Sequence, residues 1–449
     1  MKKSTLALAV AFGVLAQQAS AAGFIEDSKA TVSSRTLYFN NDPREGTGNR
    51  NEETATGLKF DYLSGFTQGT VGFGVDVQAL LGVHLDGGRG HHAVNGGITP
   101  SEGDGSSVSE WTRLGGNAKA RFSKTELRLG NALAPNLPIL VSNDGRLLPQ
   151  AFQGGIVSSK ELDSVTFTGG KLTEAVGRAS SNYAGFGVNG SSADSDSFVF
   201  GGADWKVTKD LTLQYYFANL DDYYDQHFLG AVHVFKIDDN QSFKTDLRYF
   251  DSSSDGKNKS GAAGYAFNNN NGYAKNAGEV DNKTWSAMFT YTLGGNSFLL
   301  GHQQVGDDGG FVHMNNGGIT DNGRNEGVGG ASFYLFTDAM NNTFIRAGEN
   351  TTFGQYAYDF ARAGVPGLKA SVAYLHADDI KGRQGTVNEG REFSEWERDL
   401  RVDYVIQSGP LKGFGTTVRH GTYRGDSDLL NSTDSDQTRV IFNYTYAFK

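Results

Sequence analysis

Apolar and polar residues alternate with a period of two along several runs of the chain, and turn residues separate these runs. In Trp285–Leu293, apolar and aromatic side chains occupy every second position, and mainly serine and threonine lie between them. The same alternation recurs in Leu211–Leu220, in Phe243–Phe250 and in the last run, Arg439–Phe448. Successive side chains of a strand point to opposite faces of its sheet, so the pattern predicts strands with one apolar face.

Two architectures suit such strands, a soluble β-sandwich and a transmembrane β-barrel. Several runs approach the ~9–11 residues with which a tilted strand crosses a bilayer, whereas ordinary strands have ~5–6. The polar faces carry charges in mid-strand, as at Arg128, Arg248 and Arg419. Short turns such as Gly294–Asn296 alternate with long polar connections such as Gly306–Gly330, which is typical of outer-membrane barrels. We therefore predict an all-β fold, a transmembrane antiparallel β-barrel.

The N-terminal segment has the pattern of a secretory signal peptide. Two lysines precede the apolar run Leu6–Ala16, and Ala19–Ala21 offers small residues for cleavage. We expect residues 1–21 to be the signal peptide and residues 22–449 to form one barrel in the bacterial outer membrane, in contact with lipid and lipopolysaccharide. Beyond the signal, no run of ~18 apolar residues predicts a membrane-spanning helix.

Composition excludes several classes of function. The chain has 449 residues, no cysteine and a formal net charge of −10, which argues against thiolate metal sites and against general nucleic-acid binding. His91 and His92 have no third ligand at metal spacing. No Gly-x-Ser-x-Gly motif is present, so we expect neither a cofactor nor enzymatic activity. An outer-membrane lipase or esterase is kept as the alternative from another class.

Residues 130–160 stand apart from the alternating runs. Three of the seven prolines, Pro135, Pro138 and Pro149, occur here together with the apolar run Leu137–Val141. Proline is excluded from central strands, and an apolar run is unfavourable in a loop exposed to water. We therefore expect this segment to follow a strand, Thr125–Gly130, and to fold into the barrel as a loop that narrows the pore. The alternative is an external loop that packs on a neighbouring molecule.

At this segment the sequence resembles the OprD family of specific outer-membrane porins, the Occ carboxylate and amino-acid channels of pseudomonads. The similar motifs include AKARFSKTELRLG at 118–130 and LPILVSNDGRLLPQAFQGG at 137–155. Further similar runs are Ala22–Ser28, Ser64–Asp76, Tyr223–Gly230, Asp246–Gly256, Phe353–Lys369 and Trp396–Gly413. The resemblance implies a barrel of about 18 strands, monomeric or weakly trimeric, with an inward third loop. The chain departs from many such barrels only at its end, where Lys449 follows Phe448.

The resemblance also implies a ladder of basic side chains along the lumen. In the motif SNDGRLLP, Arg146 is similar to the arginine of the family's constriction loop, and Arg178 is similar to a second position at the narrowest opening. Strand parity places further basic candidates on the lumen side: Lys119, Arg121, Arg128, Arg401, Arg419 and Arg439. We expect Arg439 to lie at a wider level than Arg146. Spaced guanidinium groups can pass a carboxylate from one bidentate pair to the next.

Together these features predict a substrate-specific porin for passive diffusion of small carboxylates through a constricted, basic channel. The chain is acidic overall, but a narrow lumen concentrates the local field whereas surface charges are screened within ~8 Å. The lumen acids Asp399 and Asp403 keep open an alternative within the family, a porin for basic amino acids or small peptides.

Overall fold

The computed structural model describes residues 23–44, 50–87, 90–93, 97–268, 272–316, 320–321, 324–325, 330, 332–426 and 434–448. The predicted signal peptide and Lys449 lie outside the described residues. Eighteen long strands form one closed antiparallel barrel. The strands are β1 (Lys29–Pro43), β2 (Asn51–Leu63), β3 (Val71–Asp86), β4 (Glu110–Phe122), β5 (Thr125–Leu133), β6 (Ala151–Ser159), β7 (Val165–Val176), β8 (Phe198–Lys206), β9 (Leu211–Leu220), β10 (Tyr224–Lys236), β11 (Gln241–Ser254), β12 (Asp281–Leu293), β13 (Asn296–Val305), β14 (Asn350–Asp359), β15 (Leu368–Lys381), β16 (Glu392–Val405), β17 (Gly415–Gly425) and β18 (Ser435–Phe448).

Each strand pairs with its neighbours in the chain, and the first and last strands close the barrel. β1 pairs with β18 in a register that runs from Ala30 opposite Phe448 to Pro43 opposite Ser435. Short connections such as 123–124 lie at the end of the barrel where β1 begins, and the long connections lie at the other end. Short turns are periplasmic and long loops extracellular in such barrels. The predicted fold class is thus confirmed.

Regular structure outside the barrel is limited to small pieces in the described residues. There is one α-helix, α1 (Gly256–Lys259), and a 3₁₀-helix at Phe360–Ala363. Two-residue strands occur at Asn136–Leu137, Leu140–Val141, Phe186–Gly187, Asn315–Asn316, Thr320–Asp321 and Arg324–Asn325, and a further one, Tyr183–Ala184, pairs with the end of β7 in the barrel sheet. In the part of the chain that the structure describes, no helix is long and apolar enough to cross a membrane.

The barrel wall has the two faces that the alternation predicts. In β12, Phe289 is 42% exposed on the outer surface, whereas its neighbour Met288 is 5% exposed. Trp285 and Leu293 are exposed on the same side as Phe289, and Ser286 is buried on the side of Met288. The outer face is therefore apolar and suited to lipid, and the inner face carries the polar and charged groups.

We expect Phe289→Arg to impair assembly of the barrel. An arginine that faces lipid near the midplane of the bilayer costs about 2–4 kcal/mol. Thr290→Arg is the matched control, because residue 290 lies on the inner face, where water solvates the charge. Heat-modifiability on SDS gels measures assembly of both variants. Equal assembly of the two would contradict the register of β12.

One part of the predicted inward loop belongs to the wall. Ala151–Ser159 is β6, which pairs with both β5 and β7, so the expectation of a loop through residue 160 is wrong there. All three prolines of the segment precede Ala151, and the residues that follow can donate to the ladder. The register shifts at Gly154, whose φ of 147° favours glycine. Only residues 134–150 fold inward, and we call them the constriction loop.

The main apolar core lies inside the barrel. The constriction loop contributes Ile139 and Leu140 to it, and the connection between β13 and β14 contributes others. The described part of that connection, within residues 306–349, is called the inner loop. The inner-loop residues that belong to this core are Phe311, Val312, Met314, Phe333, Leu335 and Ile345. Burial of apolar surface is worth about 25 cal/mol per Å², so this core fixes both loops against the wall.

Candidate functional site: the pore constriction

The constriction loop is held by its own hydrogen bonds and by the wall behind it. The backbone N–H of Ser142 donates to the Pro135 carbonyl at 2.8 Å, and its hydroxyl donates to the Gln150 carbonyl at 2.8 Å. Leu147 and Leu148 are buried in a second apolar cluster with side chains of β1 to β4. These contacts hold residues 143–146 inside the lumen, where Asp144 and Gly145 accept hydrogen bonds from Arg35 of β1 and Arg439 of β18.

The inner loop meets the constriction loop and completes the narrow opening. The backbone N–H of Ser332 donates to the Val141 carbonyl at 3.1 Å, and the Asn143 amide donates to the Gly330 carbonyl at 3.2 Å. On the wall side, the Glu397 carboxylate accepts the backbone N–H groups of Asn341 and Asn342 at 2.7 and 2.9 Å. Two loops, not one, therefore form the constriction.

We expect Asn143→Cys to react slowly with a bulky, membrane-impermeant maleimide on intact cells. Residue 143 lies between the two loops, so the reagent must pass the extracellular vestibule to reach it. Val387→Cys is the control, since Val387 is 93% exposed in a long connection and its variant should react rapidly. Labelling at the same high rate in both variants would place the constriction loop outside the barrel.

A cavity of about 560 Å³ lies between the two loops and the wall. It is lined by four arginines, Arg146, Arg178, Arg419 and Arg439, which we call the arginine cluster. Asp338 and His313 of the inner loop line the same cavity. The structure thus brings together half of the eight basic residues that the sequence nominates.

The four guanidinium groups are held without carboxylate partners. Arg439 donates to the Gln437 side chain at 2.7 Å and to the carbonyls of Gly145 and Met340 at 3.3 and 3.0 Å. Arg178 donates to the Asn143 side-chain oxygen at 3.2 Å. Among the described residues, no member of the arginine cluster forms an ion pair. Their positive charge therefore remains available to a solute.

When no solute is bound, burial makes the positive charge of the arginine cluster energetically unfavourable. It lowers the pKa of Arg146, and the nearby Arg439 and Arg178 guanidinium groups lower it further. Burial also lowers the pKa of Arg178 to about 10, although Asp338 and Asp144 oppose the change. Arginine nevertheless stays protonated at neutral pH. An incoming anion would relieve both the mutual repulsion and the loss of hydration.

Burial lowers the pKa of the His313 imidazole from its ordinary value, although the nearby Asp338 carboxylate opposes the change.

The other four predicted basic residues lie elsewhere in the lumen, and three of them are ion-paired. Lys119 is buried and donates to Asp76 at 2.7 Å. Arg128 pairs with Glu126 at 2.5 Å. It also lines a second cavity of about 510 Å³ that reaches the periplasmic turn at Lys124.

Arg401 and Arg121 complete this group. Arg401 forms a bidentate pair with Asp403 at 2.7 and 2.9 Å. The Arg121 guanidinium lies 4.2 Å from the centroid of the Phe66 ring.

The expectation that Arg439 lies at a wider level of the lumen than Arg146 is wrong. Arg439 lines the same cavity as Arg146 and donates to Gly145, the residue before it in the constriction loop. The register explains this placement, because Arg439 lies opposite Phe39 of β1, and the Arg146 guanidinium is 4.1 Å from the centroid of that ring.

Sequence reasoning missed the inner loop and its polar residues at the opening. Asp338 lines the cavity, and Glu397 anchors the loop. The apolar run Phe333–Phe336 within a long polar connection is the signal that could have indicated an inward fold, as Leu137–Val141 did for the constriction loop. Across the described ranges, no group of three His, Cys, Asp or Glu side chains could hold a metal ion.

Comparison with known proteins gives one consistent result. Residues 22–448 match the outer membrane porin, OprD family. Porin D of Pseudomonas aeruginosa is 33% identical over 466 residues, covering 99% of this chain and 98% of the relative. Porin-like protein GalP of Pseudomonas putida is 33% identical, covering 98% and 96%.

Solved structures agree in fold. The crystal structure of Pseudomonas aeruginosa OccK8 (OprE) has 42% sequence identity and a TM-score of 0.83, covering 95% of this chain and 100% of that one. Pseudomonas aeruginosa OpdK, solved with vanillate, has 30% identity and a TM-score of 0.79, with the same coverage. An eighteen-strand barrel with two loops folded into its lumen, matched over nearly its whole length, is thus a substrate-specific porin of the bacterial outer membrane, and the chain belongs to the OprD family.

Proposed function

We propose that the channel passes small carboxylates by passive diffusion and that the arginine cluster selects them. The observation that carries this proposal is the set of four guanidinium groups at one cavity without an ion pair within the described residues. A carboxylate that enters the constriction loses water, and guanidinium replaces that water with a planar pair of donors. Fixed donors in a site with little water act with little screening.

The distribution of charge along the lumen supports a single selective level. Lys119, Arg128 and Arg401 each form an ion pair with a nearby carboxylate. Because these pairs neutralise their charges, the three side chains attract a passing anion less than the arginine cluster does. The vanillate in the OpdK structure is a small aromatic carboxylate, and this likeness supports the same solute class here. The relatives are porins, and no observation favours the esterase alternative.

A second solute class, basic amino acids, has two observations in its favour. Asp338 lines the cavity, and one oxygen of Asp399 is buried with no hydrogen-bond partner in the described residues. Such acids could receive the ammonium group of a basic amino acid. We rank this class second because the cavity is lined by four guanidinium groups that form no ion pair among the described residues and by only two acids, Asp144 and Asp338.

Export and assembly complete the proposal. Residues 1–21 act as the signal peptide, and residues 22–449 form the mature barrel. The mature protein works as a monomer or a weak homotrimer in which each barrel carries its own channel.

The test combines two measurements on the purified protein. The reversal potential across a planar bilayer under a KCl gradient reports the sign of the permeant ion, and we expect anion preference. Uptake of labelled benzoate and labelled arginine into liposomes compares the two solute classes. Cation preference together with faster arginine uptake would overturn the carboxylate assignment in favour of basic amino acids.

A further inference from the structure

Phe39 lies beneath two guanidinium groups of the arginine cluster. The centroid of its ring is 4.1 Å from Cζ of Arg146 and 5.6 Å from Cζ of Arg439. Phe39 is 1% exposed and belongs to the apolar cluster that also contains Leu147 and Leu148 of the constriction loop. Both the barrel wall and the constriction loop therefore fix the position of the ring.

The two arginines differ in what else holds them. Arg439 has three oxygen acceptors, from Gln437, Gly145 and Met340. The Arg146 guanidinium donates no hydrogen bond to any described residue, and its Nη1 is buried without an acceptor. The buried Glu53 carboxylate attracts the Arg146 guanidinium electrostatically, but in the described part of the chain the face of the Phe39 ring is the one aromatic contact that this guanidinium makes.

We propose that Phe39 is a positioning residue for carboxylate recognition, acting through Arg146. The negative face of an aromatic ring attracts a cation, and this contact leaves the N–H groups in the guanidinium plane free. A carboxylate or carbonyl partner would instead occupy the donors that a solute needs. The negative face of the ring also lies beside the two positively charged guanidinium groups of Arg146 and Arg439 and reduces the repulsion between them. This inference rests on the proposed function.

Arg248 shows the contrasting arrangement in the same barrel. Its guanidinium lies 3.6 Å from the centroid of the Tyr334 ring, but it also forms a bidentate pair with Asp246 and donates to the Tyr334 carbonyl. The donors of Arg248 are therefore used within the protein. Those of Arg146 are oriented by a ring and remain unused.

The test is the concentration dependence of benzoate uptake by Phe39→Leu in liposomes. We expect the half-saturation concentration to rise about 3- to 30-fold, which corresponds to about 0.7–2 kcal/mol and matches the strength of a cation–π contact. Single-channel conductance in KCl should stay near the parent value, because the cluster keeps its charge. Phe39→Tyr, which keeps the ring, should restore the parent half-saturation concentration.

Phe228→Leu is the matched control. Phe228 is a fully buried ring that packs on Phe250 at 4.8 Å between centroids, and no described cation lies over it. We expect this variant to leave the half-saturation concentration unchanged. An equal rise in Phe228→Leu and Phe39→Leu would mean that loss of core packing, not loss of the ring beneath Arg146, changes recognition, and it would overturn the proposal.

A double-mutant cycle separates positioning from packing at residue 39 itself. If Phe39 acts through Arg146, then Phe39→Leu has no further effect on benzoate half-saturation in the Arg146→Ala background. The same fold-change in both backgrounds would overturn the proposal. Phe39→Met serves in the same cycle if the leucine variant does not assemble, and failure of both variants to assemble would assign Phe39 to the core instead.

The two proposals fail in different ways. A parent protein that does not take up benzoate contradicts the carboxylate assignment. A parent that takes up benzoate through Arg146, but is indifferent to Phe39→Leu, contradicts only the role of the ring.

Discussion

Replacing Arg146 with alanine is expected to slow carboxylate uptake by roughly 10- to 100-fold. A hydrogen bond to a charged group is worth about 1.5–3 kcal/mol, and each ~1.4 kcal/mol is a factor of ten. The Arg146 guanidinium has no internal hydrogen-bond acceptor in the described residues, and its Nε and Nη2, unlike Nη1, are not buried, so these two groups can donate to the solute. Uptake of labelled benzoate into liposomes measures the effect, and small-ion conductance should stay equal or rise because the opening widens.

Arg401→Ala is the matched control for this experiment. The Arg401 guanidinium also lies in the lumen, but it is paired with Asp403 and should contribute little to anion selection. Benzoate uptake should therefore change far less than in Arg146→Ala. Unchanged benzoate uptake in Arg146→Ala, or an equal loss in the two variants, would contradict selection by the arginine cluster.

The second large effect is expected from Glu395→Ala, which should release the inner loop from the wall. Glu395, in β16, is almost fully buried and accepts hydrogen bonds from Arg346, from Asn342 and from the Tyr423 hydroxyl, the last at 2.6 Å. Removing one partner of a buried ion pair costs about 3–5 kcal/mol. The wall is closed by backbone ladders on every strand, so we expect the loss to appear as local detachment of the loop.

Limited trypsin digestion measures that detachment. Arg346 is 4% exposed in the parent protein, and we expect rapid cleavage after it only in the variant, together with a larger and noisier single-channel conductance. Asp163→Ala removes the exposed partner of the Lys124–Asp163 pair, which is worth about 0–1 kcal/mol, and should leave both readouts unchanged. Protection of Arg346 in Glu395→Ala would show that the apolar contacts of the inner loop suffice to hold it.

The strands of the barrel wall and their lipid-facing side were predictable because the alternation of apolar and polar residues is a local pattern. Whether Phe289 faces lipid depends on its own side chain and on the alternation of its immediate neighbours, which a single sequence displays. The resemblance added the number of strands and the candidates at the constriction. The end of the constriction loop was harder to place, since the glycine-containing start of β6 at Ala151 lacks clear alternation and becomes a strand through pairing with β5 and β7.

The arrangement of the site depends on register between distant strands. Arg439 lies beside Arg146 because β1 and β18 pair and bring Phe39 opposite Arg439, and no local pattern contains that pairing. The inner loop escaped prediction for a related reason. Its polar composition resembles an extracellular loop, and its inward course is set by partners on other strands, such as Glu395 and Glu397.

The position of the constriction loop relative to the first and last strands has a consequence for biogenesis. Arg35 of β1 donates to the Asp144 carboxylate at 2.7 Å and to the Arg146 carbonyl at 2.7 Å, and also to Asn443 of β18 at 3.2 Å. Arg439 of β18 reaches Gly145. These contacts straddle the seam between β1 and β18, which exists only after the final strand has joined the first. The constriction is therefore completed by the same step that closes the barrel. A folding intermediate in which β1 and β18 are not yet paired would have a lumen that lacks its selective constriction.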